Sequence, residues 1–198
     1  MGTRPRALLL AIIAVLASAA FATGASAAEF HSEGENTTLS GSQINTHVWK
    51  TTAGEITCLK TTIVGTQTTK TASSITFTPS ATECHDNFFG SKVSSTVNFN
   101  GCAYVVYAAG TTDIVCPAGK KIVISAAGCT VEIGAQTGLK SVSFGNTSGL
   151  RRIWHIIKNI AGFIYNHTGF TCGTGSGTTG TESGTTTVEG NKGGIWYE

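Results

Sequence analysis

The stretch that decides the fold is Val93–Ile133, which reads VSSTVNFNGCAYVVYAAGTTDIVCPAGKKIVISAAGCTVEI. Apolar and polar residues alternate in short runs within it, and turn residues such as Asn100-Gly101 and Ala126-Ala127-Gly128 separate the runs. Alternation with a period of two is typical of strands that bury one face, and Gly, Asn and Pro at the interruptions favour tight turns. Asn100-Gly101 is the sharpest turn signal, because a type I′ turn needs positive φ at both central residues. The stretch therefore predicts a series of short β-strands.

The same pattern continues outward in both directions. The predicted strands are Thr46–Thr51, Glu55–Val64, Ser74–Thr78, Val93–Asn100, Ala103–Tyr107, Asp113–Cys116, Lys121–Ser125, Cys129–Ile133 and Ser141–Phe144, with one or two closing strands over Thr185–Glu189 and Gly194–Tyr197. Turn signals recur about every 8–12 residues, which is typical of a sandwich or a barrel. We predict an all-β fold, a two-sheet β-sandwich of about 9–11 short strands with a jelly-roll-like or Greek-key topology.

Residues 150–164 allow two interpretations. Apolar residues from Leu150 to Ile164 fall at helical spacing, with polar and charged residues on the opposite face, which is typical of an amphipathic helix. The many isoleucines and Gly162 disfavour a helix. Periodicity alone slightly favours the helix and leaves two strands as the alternative.

Residues 173–184 consist almost wholly of Gly, Thr and Ser, and Glu182 is their one charged residue. This composition is typical of a flexible loop. We predict a single β-rich domain over residues 29–198, with a Gly/Thr/Ser-rich loop near residues 173–184.

The first 28 residues have the features of a secretory signal peptide. Arg4 and Arg6 form a basic region, an almost unbroken apolar run covers residues 7–22, and Ala25-Ser26-Ala27-Ala28 offers small residues for cleavage near Ala27 and Ala28. The two arginines also account for the excess of 13 basic over 11 acidic residues, so the mature chain is neutral. We expect a secreted, extracellular protein with no nucleic-acid partner and no membrane span.

Six cysteines follow the signal: Cys58, Cys84, Cys102, Cys116, Cys129 and Cys172. In an oxidising compartment an even number predicts disulfides, but six cysteines allow 15 pairings and the sequence does not select one. Order and local context suggest Cys84–Cys102, Cys116–Cys129 and Cys58–Cys172. The absence of Cys-x-x-Cys spacing argues against a metal site.

Several motifs resemble an uncharacterised family of secreted, disulfide-bearing β-rich proteins of Gram-positive bacteria. They are Phe30-His31-Ser32-Glu33, Glu55-Ile56-Thr57-Cys58, Val97-Asn98-Phe99-Asn100-Gly101-Cys102, Cys116-Pro117-Ala118-Gly119, Cys129-Thr130-Val131-Glu132-Ile133, Ile160-Ala161-Gly162-Phe163-Ile164-Tyr165 with Cys172, and Thr187-Val188-Glu189-Gly190. The resemblance implies a bacterial source and carries no activity. It also implies two strands around Gly162, so we expect strands at Ile153–Lys158 and Phe163–Asn166, with the helix as the alternative.

No catalytic, cofactor-binding or metal-binding residue is predicted. Cys84-His85-Asp86 is the densest polar cluster, but neighbours on a strand point to opposite faces and no Gly-x-Ser-x-Gly supplies a nucleophile. The five histidines have no metal-ligand spacing. An unrecognised hydrolase would require His85, Asp113 or Glu132 to converge in a cleft.

The tryptophans are the remaining candidates for a site. Trp196 and Trp154 could form an exposed aromatic platform that stacks on a sugar ring, whereas Trp49 fits core packing. We therefore predict a secreted, non-enzymatic binding or structural protein with a carbohydrate or protein ligand at the cell surface. The alternatives are a secreted hydrolase with an unrecognised site, or an inhibitor or effector that binds a protein through a rigid loop between Cys84 and Cys102.

Overall fold

A computed structural model describes residues 27–88, 91–147 and 153–198, and these ranges contain strands and turns but no helix. The strands are β1 (Phe30–Ser32), β2 (Thr37–Gln43), β3 (His47–Thr51), β4 (Gly54–Gln67), β5 (Thr71–Ala72), β6 (Ser74–Phe88), β7 (Ser91–Asn98), β8 (Ala103–Tyr107), β9 (Thr111–Val115), β10 (Ile122–Ala126), β11 (Cys129–Ile133), β12 (Gln136–Asn146), β13 (Ile153–Gly169), β14 (Gly173–Gly190) and β15 (Ile195–Tyr197). The predicted signal peptide lies almost wholly outside the described residues.

The described strands form one sheet of 12 strands and one of three. This confirms the predicted all-β fold. The described residues hold 15 strands rather than about 9–11, because short segments such as β1 and β5 lack a long alternating pattern.

Four long strands frame the larger sheet. β4 pairs with β6, and β13 pairs with β14, along most of their lengths. Two halves follow one another along these long strands. Between β14 and β4, β3 lies in one half, termed the first half, and β2 lies in the other, termed the second half. Between β6 and β13, the first half contains β7, β10 and β11, and the second half contains β8, β9 and β12. The antiparallel ladder thereby closes into a ring around the core, which removes most exposed strand edges.

Where the two halves meet, the long strands change which set of alternate residues faces the core. β4 buries Ile56 and Cys58 in the first half but Thr61 and Ile63 in the second. Its partner β6 contains Glu83 with φ of 55°, and β13 contains Gly162 with φ of 79° beside a register shift. A one-residue slip moves every side chain to the opposite face, so these irregularities allow both halves to bury apolar rows.

The smaller sheet, β15-β1-β5, covers the end of the ring where β4 ends and β6 begins. Buried Phe30 contacts Phe144 edge-on at 5.0 Å between ring centroids and lies 6.0 Å from the Tyr197 ring. Tyr197 also donates from its hydroxyl to the Ala108 carbonyl at 3.2 Å. This aromatic cluster fills the second end of the ring.

The suggested disulfide pairing is wrong at all three bonds. The bonds are Cys58–Cys84, Cys102–Cys116 and Cys129–Cys172. Cys58 and Cys84 are direct register partners on β4 and β6, which brings their Cα atoms to 4.0 Å. Pairing follows from which strands are neighbours, and sequence order does not reveal that. Three disulfides are compatible with an extracellular protein, and no helix of the described residues is long and apolar enough to span a membrane.

The predicted flexible loop at residues 173–184 is also wrong, because this segment is part of β14. Its glycines lie under large side chains of the neighbouring strand: an added Cβ would collide with the Phe163 ring at Gly180 and with the Tyr165 ring at Gly177. Aromatic side chains that cover strand glycines stabilise the pairing, so the Gly-rich composition here serves packing.

The expected strands at Ile153–Lys158 and Phe163–Asn166 are confirmed, and both belong to the single strand β13. Residues 150–152 lie outside the described ranges. The Asn100-Gly101 turn has positive φ at both positions, 51° and 81°, as predicted. Trp49 is only 2% exposed, which confirms its assignment to the core.

Candidate ligand pocket

Three described hairpin connections meet at the first end of the ring, opposite the smaller sheet, and the paired ends of β6 and β7 lie at the same end. The connections join β3 to β4, β10 to β11, and β13 to β14. Contacts hold them together: the Phe170 amide donates to the Gly128 carbonyl at 3.0 Å, and the Thr171 hydroxyl donates to the Ala127 carbonyl at 2.8 Å. The Thr52 amide donates to the Tyr165 hydroxyl at 2.9 Å. The end of the ring is thus built from rigid, mutually bonded turns.

A pocket opens between these turns. Its cavity volume is about 50 Å³, and its walls are the buried side chains of Trp49, Ile56, Ile124 and Val131. The mouth is formed by Thr51, Ala53, Gly54, Asp86, Ala126, Cys129 and Thr171. A water needs about 10–15 Å³ of such volume, so the space holds roughly three to five water-sized groups. The pocket therefore has the size and apolar lining for a small aliphatic group.

Asp86 places a carboxylate on the inward face of the strand at this mouth. It lies two residues from buried Cys84 and therefore on the same side of β6. Its Oδ2 lies 3.9 Å from the position that a Cβ would occupy at Gly54. No hydrogen bond or ion pair to the Asp86 carboxylate is found within the described residues. A half-buried carboxylate without a partner is costly, so this position calls for an explanation.

The wall residue Trp49 is held from behind by a buried polar network. Its indole hydrogen-bonds the Tyr104 hydroxyl, which donates to Glu182 Oε2 at 2.6 Å. His47 Nδ1 lies 3.6 Å from Glu182 Oε1, and His47 Nε2 lies 3.2 Å from Thr186 Oγ1. Each of these residues is at most 2% exposed. The network fixes the orientation of Trp49 and hence the shape of the pocket.

Burial raises the pKa of Tyr104 well above its ordinary value of 10.0, and the charge of Glu182 and the hydrogen bond to it add to the rise. The hydrogen bond from Trp49 acts in the opposite direction and is the smallest of these effects. Tyr104 therefore remains a protonated donor to Glu182 throughout the neutral range.

The residues of the hydrolase hypothesis do not converge. His85 lies between Thr57 and Ser94 in the ladder. Asp113 accepts from the Tyr107 hydroxyl at 2.9 Å and from the Gly138 amide at 2.7 Å. Glu132 pairs with Lys121 at 2.7 Å. His85, Asp113 and Glu132 thus lie at separate places in the structure rather than in one cleft.

The predicted aromatic platform has a different environment from the one expected. Trp196 lies on the smaller sheet and stacks against His31, with ring centroids 5.2 Å apart and planes 9° from parallel. Its indole N–H donates to Glu198 Oε1 at 3.0 Å. One face of the indole is therefore covered by His31. The Trp154 side chain lies outside the part of the chain that the structure describes.

Other depressions lie on the outer surface. One, of about 320 Å³, is lined by Glu132, His167 and the polar side chains around them on β11, β13 and β14. Another, of about 550 Å³, lies where β6 separates from β7, beside the Asn100-Gly101 turn. A further one, of about 390 Å³, lies between Phe144, Tyr197 and the turn from β8 to β9. All of these are shallow and open to solvent. No group of three His, Cys, Asp or Glu side chains among the described residues has the arrangement of a metal site.

Comparison with known proteins found no matching family model, no matching curated protein and no matching solved structure.

Asp86 and Glu182 are the site residues that sequence reasoning missed. The sequence presents Asp86 only as a neighbour of His85, and Glu182 lies in the segment predicted to be a loop. One signal was present: once Cys84 is assigned to a buried disulfide, a charge two residues later must share its inward face. No comparable signal marks Glu182, because its burial depends on which strands pack above it.

Proposed function

We propose that this is a secreted, non-enzymatic binding protein whose pocket at the hairpin end accepts an aliphatic group of a protein ligand. The observation that carries the proposal is the apolar pocket itself, which opens between the hairpins at one end of the ring, while Phe30, Phe144 and Tyr197 pack against one another at the opposite end. Ligand sites commonly combine apolar walls with a few polar groups in such a mouth. The predicted signal peptide and the three disulfides support secretion.

The size of the pocket favours a protein ligand over a carbohydrate. A sugar ring with its hydroxyl groups exceeds the space between Trp49 and Val131, and the four wall residues offer few partners for hydroxyls. A leucine, isoleucine or valine side chain fits both the volume and the lining. Among the side chains that the structure describes, the carbohydrate hypothesis then depends on Trp196.

The disulfides that hold the walls and mouth of the pocket in place also support a binding role. Cys129 lies at the mouth and is bonded to Cys172 in the adjacent hairpin, while Cys58–Cys84 crosslinks β4 and β6 next to the wall residue Ile56. A pocket that is already formed spends less conformational entropy on binding.

The test is an NMR titration of the oxidised protein with isobutanol, which models a leucine side chain. We expect shifts of the Trp49 indole N–H and of the Ile124 and Val131 methyl groups. Ala126→Leu extends a side chain into the mouth and should abolish these shifts, whereas Trp196→Ala should retain them. Absence of shifts in the folded wild-type protein would contradict the proposal.

A glycan panel measured with the same three proteins separates the two ligand classes. Binding of a glycan that is lost in Trp196→Ala and kept in Ala126→Leu would assign the function to the smaller sheet instead. We expect no such glycan.

A further inference from the structure

We infer that the ligand group is an aliphatic ammonium, as presented by a polypeptide that begins with a free leucine, isoleucine or valine. This inference rests on the proposed function and adds the charge of the ligand. It is carried by the combination of an apolar cavity with a single carboxylate, Asp86, at its mouth.

The carboxylate of Asp86 indicates that the ligand carries a positive charge. Asp86 faces inward on β6 and is half-buried, and its carboxylate has no hydrogen-bonding or ionic partner among the described residues. The other acidic groups of this region differ in this respect: Glu55 lies on the exposed surface with Lys50 Nζ 3.6 Å away, and Glu132 is paired with Lys121. A partly desolvated carboxylate without a cation attracts one from the ligand.

The position of the cavity beside Asp86 indicates where the ligand carries its positive charge. The cavity lies directly beside Asp86, so a ligand must carry its cation next to its apolar group rather than at the end of a long chain. A lysine side chain that entered the pocket would bury its ammonium among Trp49, Ile124 and Val131, whose side chains offer no hydrogen-bond acceptor. A lysine that kept its ammonium at Asp86 would leave the cavity empty. The α-amino group of a chain that starts with leucine lies close to the branched side chain and satisfies both groups at once.

The small residues at the mouth of the pocket leave space for the backbone of a peptide. Gly54 lies beside the Asp86 carboxylate with φ of 146°, a conformation that other residues rarely adopt. Ala53, Gly54 and Ala126 are all small, so a peptide backbone can approach the carboxylate without a bulky side chain between them.

The experiment compares three peptides of otherwise identical sequence by NMR titration at pH 6.5. One begins with a free leucine, one with N-acetyl-leucine and one with a free serine. We expect the free leucine peptide to bind about tenfold more tightly than each of the others, as a charge-assisted hydrogen bond and a buried side chain each allow. The preference over the acetylated peptide should decline as the pH rises through about 8, where an α-amino group loses its proton.

Two matched variants assign the effect. Asp86→Asn keeps the shape of the mouth and should bind the free and acetylated leucine peptides equally. Glu55→Gln removes a carboxylate at the same end of the ring and should leave the tenfold preference unchanged. A thermal melt of each variant verifies that it is folded.

Equal binding of the free and acetylated peptides by the wild-type protein would overturn the inference, and so would a preference that persists in Asp86→Asn. In either case, binding of isobutanol would leave the proposed function standing. If neither peptide nor isobutanol bound, the proposed function itself would fail.

Discussion

At the scale of single residues, the polar groups inside the ring have different structural consequences. Glu182 is buried at 2% exposure but is hydrogen-bonded by Tyr104, so its desolvation is compensated. Asp86 has no such partner among the described residues. Buried polar networks of the first kind fix side-chain positions, here that of Trp49, whereas an unpaired carboxylate at a mouth is available to a ligand.

The Tyr104–Glu182 hydrogen bond makes stability depend on pH above neutrality. Because the pKa of Tyr104 in the folded protein is raised above 10.0, the unfolded chain loses this proton first as the pH rises. The stabilisation is complete below pH 10 and declines above it. We expect Tyr104→Phe to lower the free energy of unfolding by about 1–3 kcal/mol at pH 7, since Glu182 loses a donor.

Chemical denaturation of both proteins between pH 7 and 11 measures the effect. The difference between wild type and Tyr104→Phe should narrow above pH 10. The lowered pKa of Tyr165 acts in the opposite direction in both proteins and cancels in the comparison. A difference that stays constant to pH 11 would contradict the role of Tyr104.

At the scale of strands, β13 and β14 show how composition can mislead. The Gly-rich half of β14 pairs with β13, and side chains of β13 cover its glycines. Gly, Ser and Thr predominate in this half of β14 because the side chains of β13 supply the volume that packs over it. Packing of this kind is a property of two strands together, and neither sequence alone reveals it.

Gly180→Ala tests the packing of this pair. An added Cβ would collide with the buried ring of Phe163, so we expect a loss of about 1–3 kcal/mol in the free energy of unfolding. Gly134→Ala is the matched control, since nothing lies within 4 Å of a Cβ at Gly134. Its effect should stay within about 0.5 kcal/mol. Equal effects in the two variants would contradict the packing of Phe163 over Gly180.

Local signals in the sequence predicted local structure well. Turns such as Asn100-Gly101 and short strands such as β8 follow from residues adjacent in the chain, whose φ preferences and alternation are intrinsic. The closure of the ring, the disulfide pairs and the inward position of Asp86 depend on strands that meet from distant parts of the chain. Cys129 and Cys172, for example, are 43 residues apart. The pocket could not be predicted for the same reason, because its walls come from four strands.

At the scale of the whole molecule, closure of the ladder and three crosslinks produce a frame that carries the pocket at its hairpin end. The disulfides link residues 26, 14 and 43 positions apart. In the chain-entropy model each such bond contributes about 3–4 kcal/mol by restricting the unfolded chain. A large part of the stability of a domain of this size therefore depends on oxidation.

Reduction of all three bonds should lower the melting temperature by well over 10 °C, because each kcal/mol shifts the midpoint by about 2–4 °C at this size. Differential scanning calorimetry with and without a reducing agent measures the change. Peptide mapping of the oxidised protein should recover the bonds Cys58–Cys84, Cys102–Cys116 and Cys129–Cys172. An unchanged melting curve would contradict the contribution of the disulfides to stability.

A crystal structure of the oxidised protein soaked in isobutanol would show directly whether the pocket at the hairpin end binds an aliphatic group. We expect electron density for one isobutanol molecule at the hairpin end, with its methyl groups between Trp49 and Val131 and its hydroxyl near Asp86. Density for isobutanol only elsewhere on the surface, with the space between Trp49 and Val131 empty or filled by the protein itself, would contradict the assignment of this pocket as the binding site.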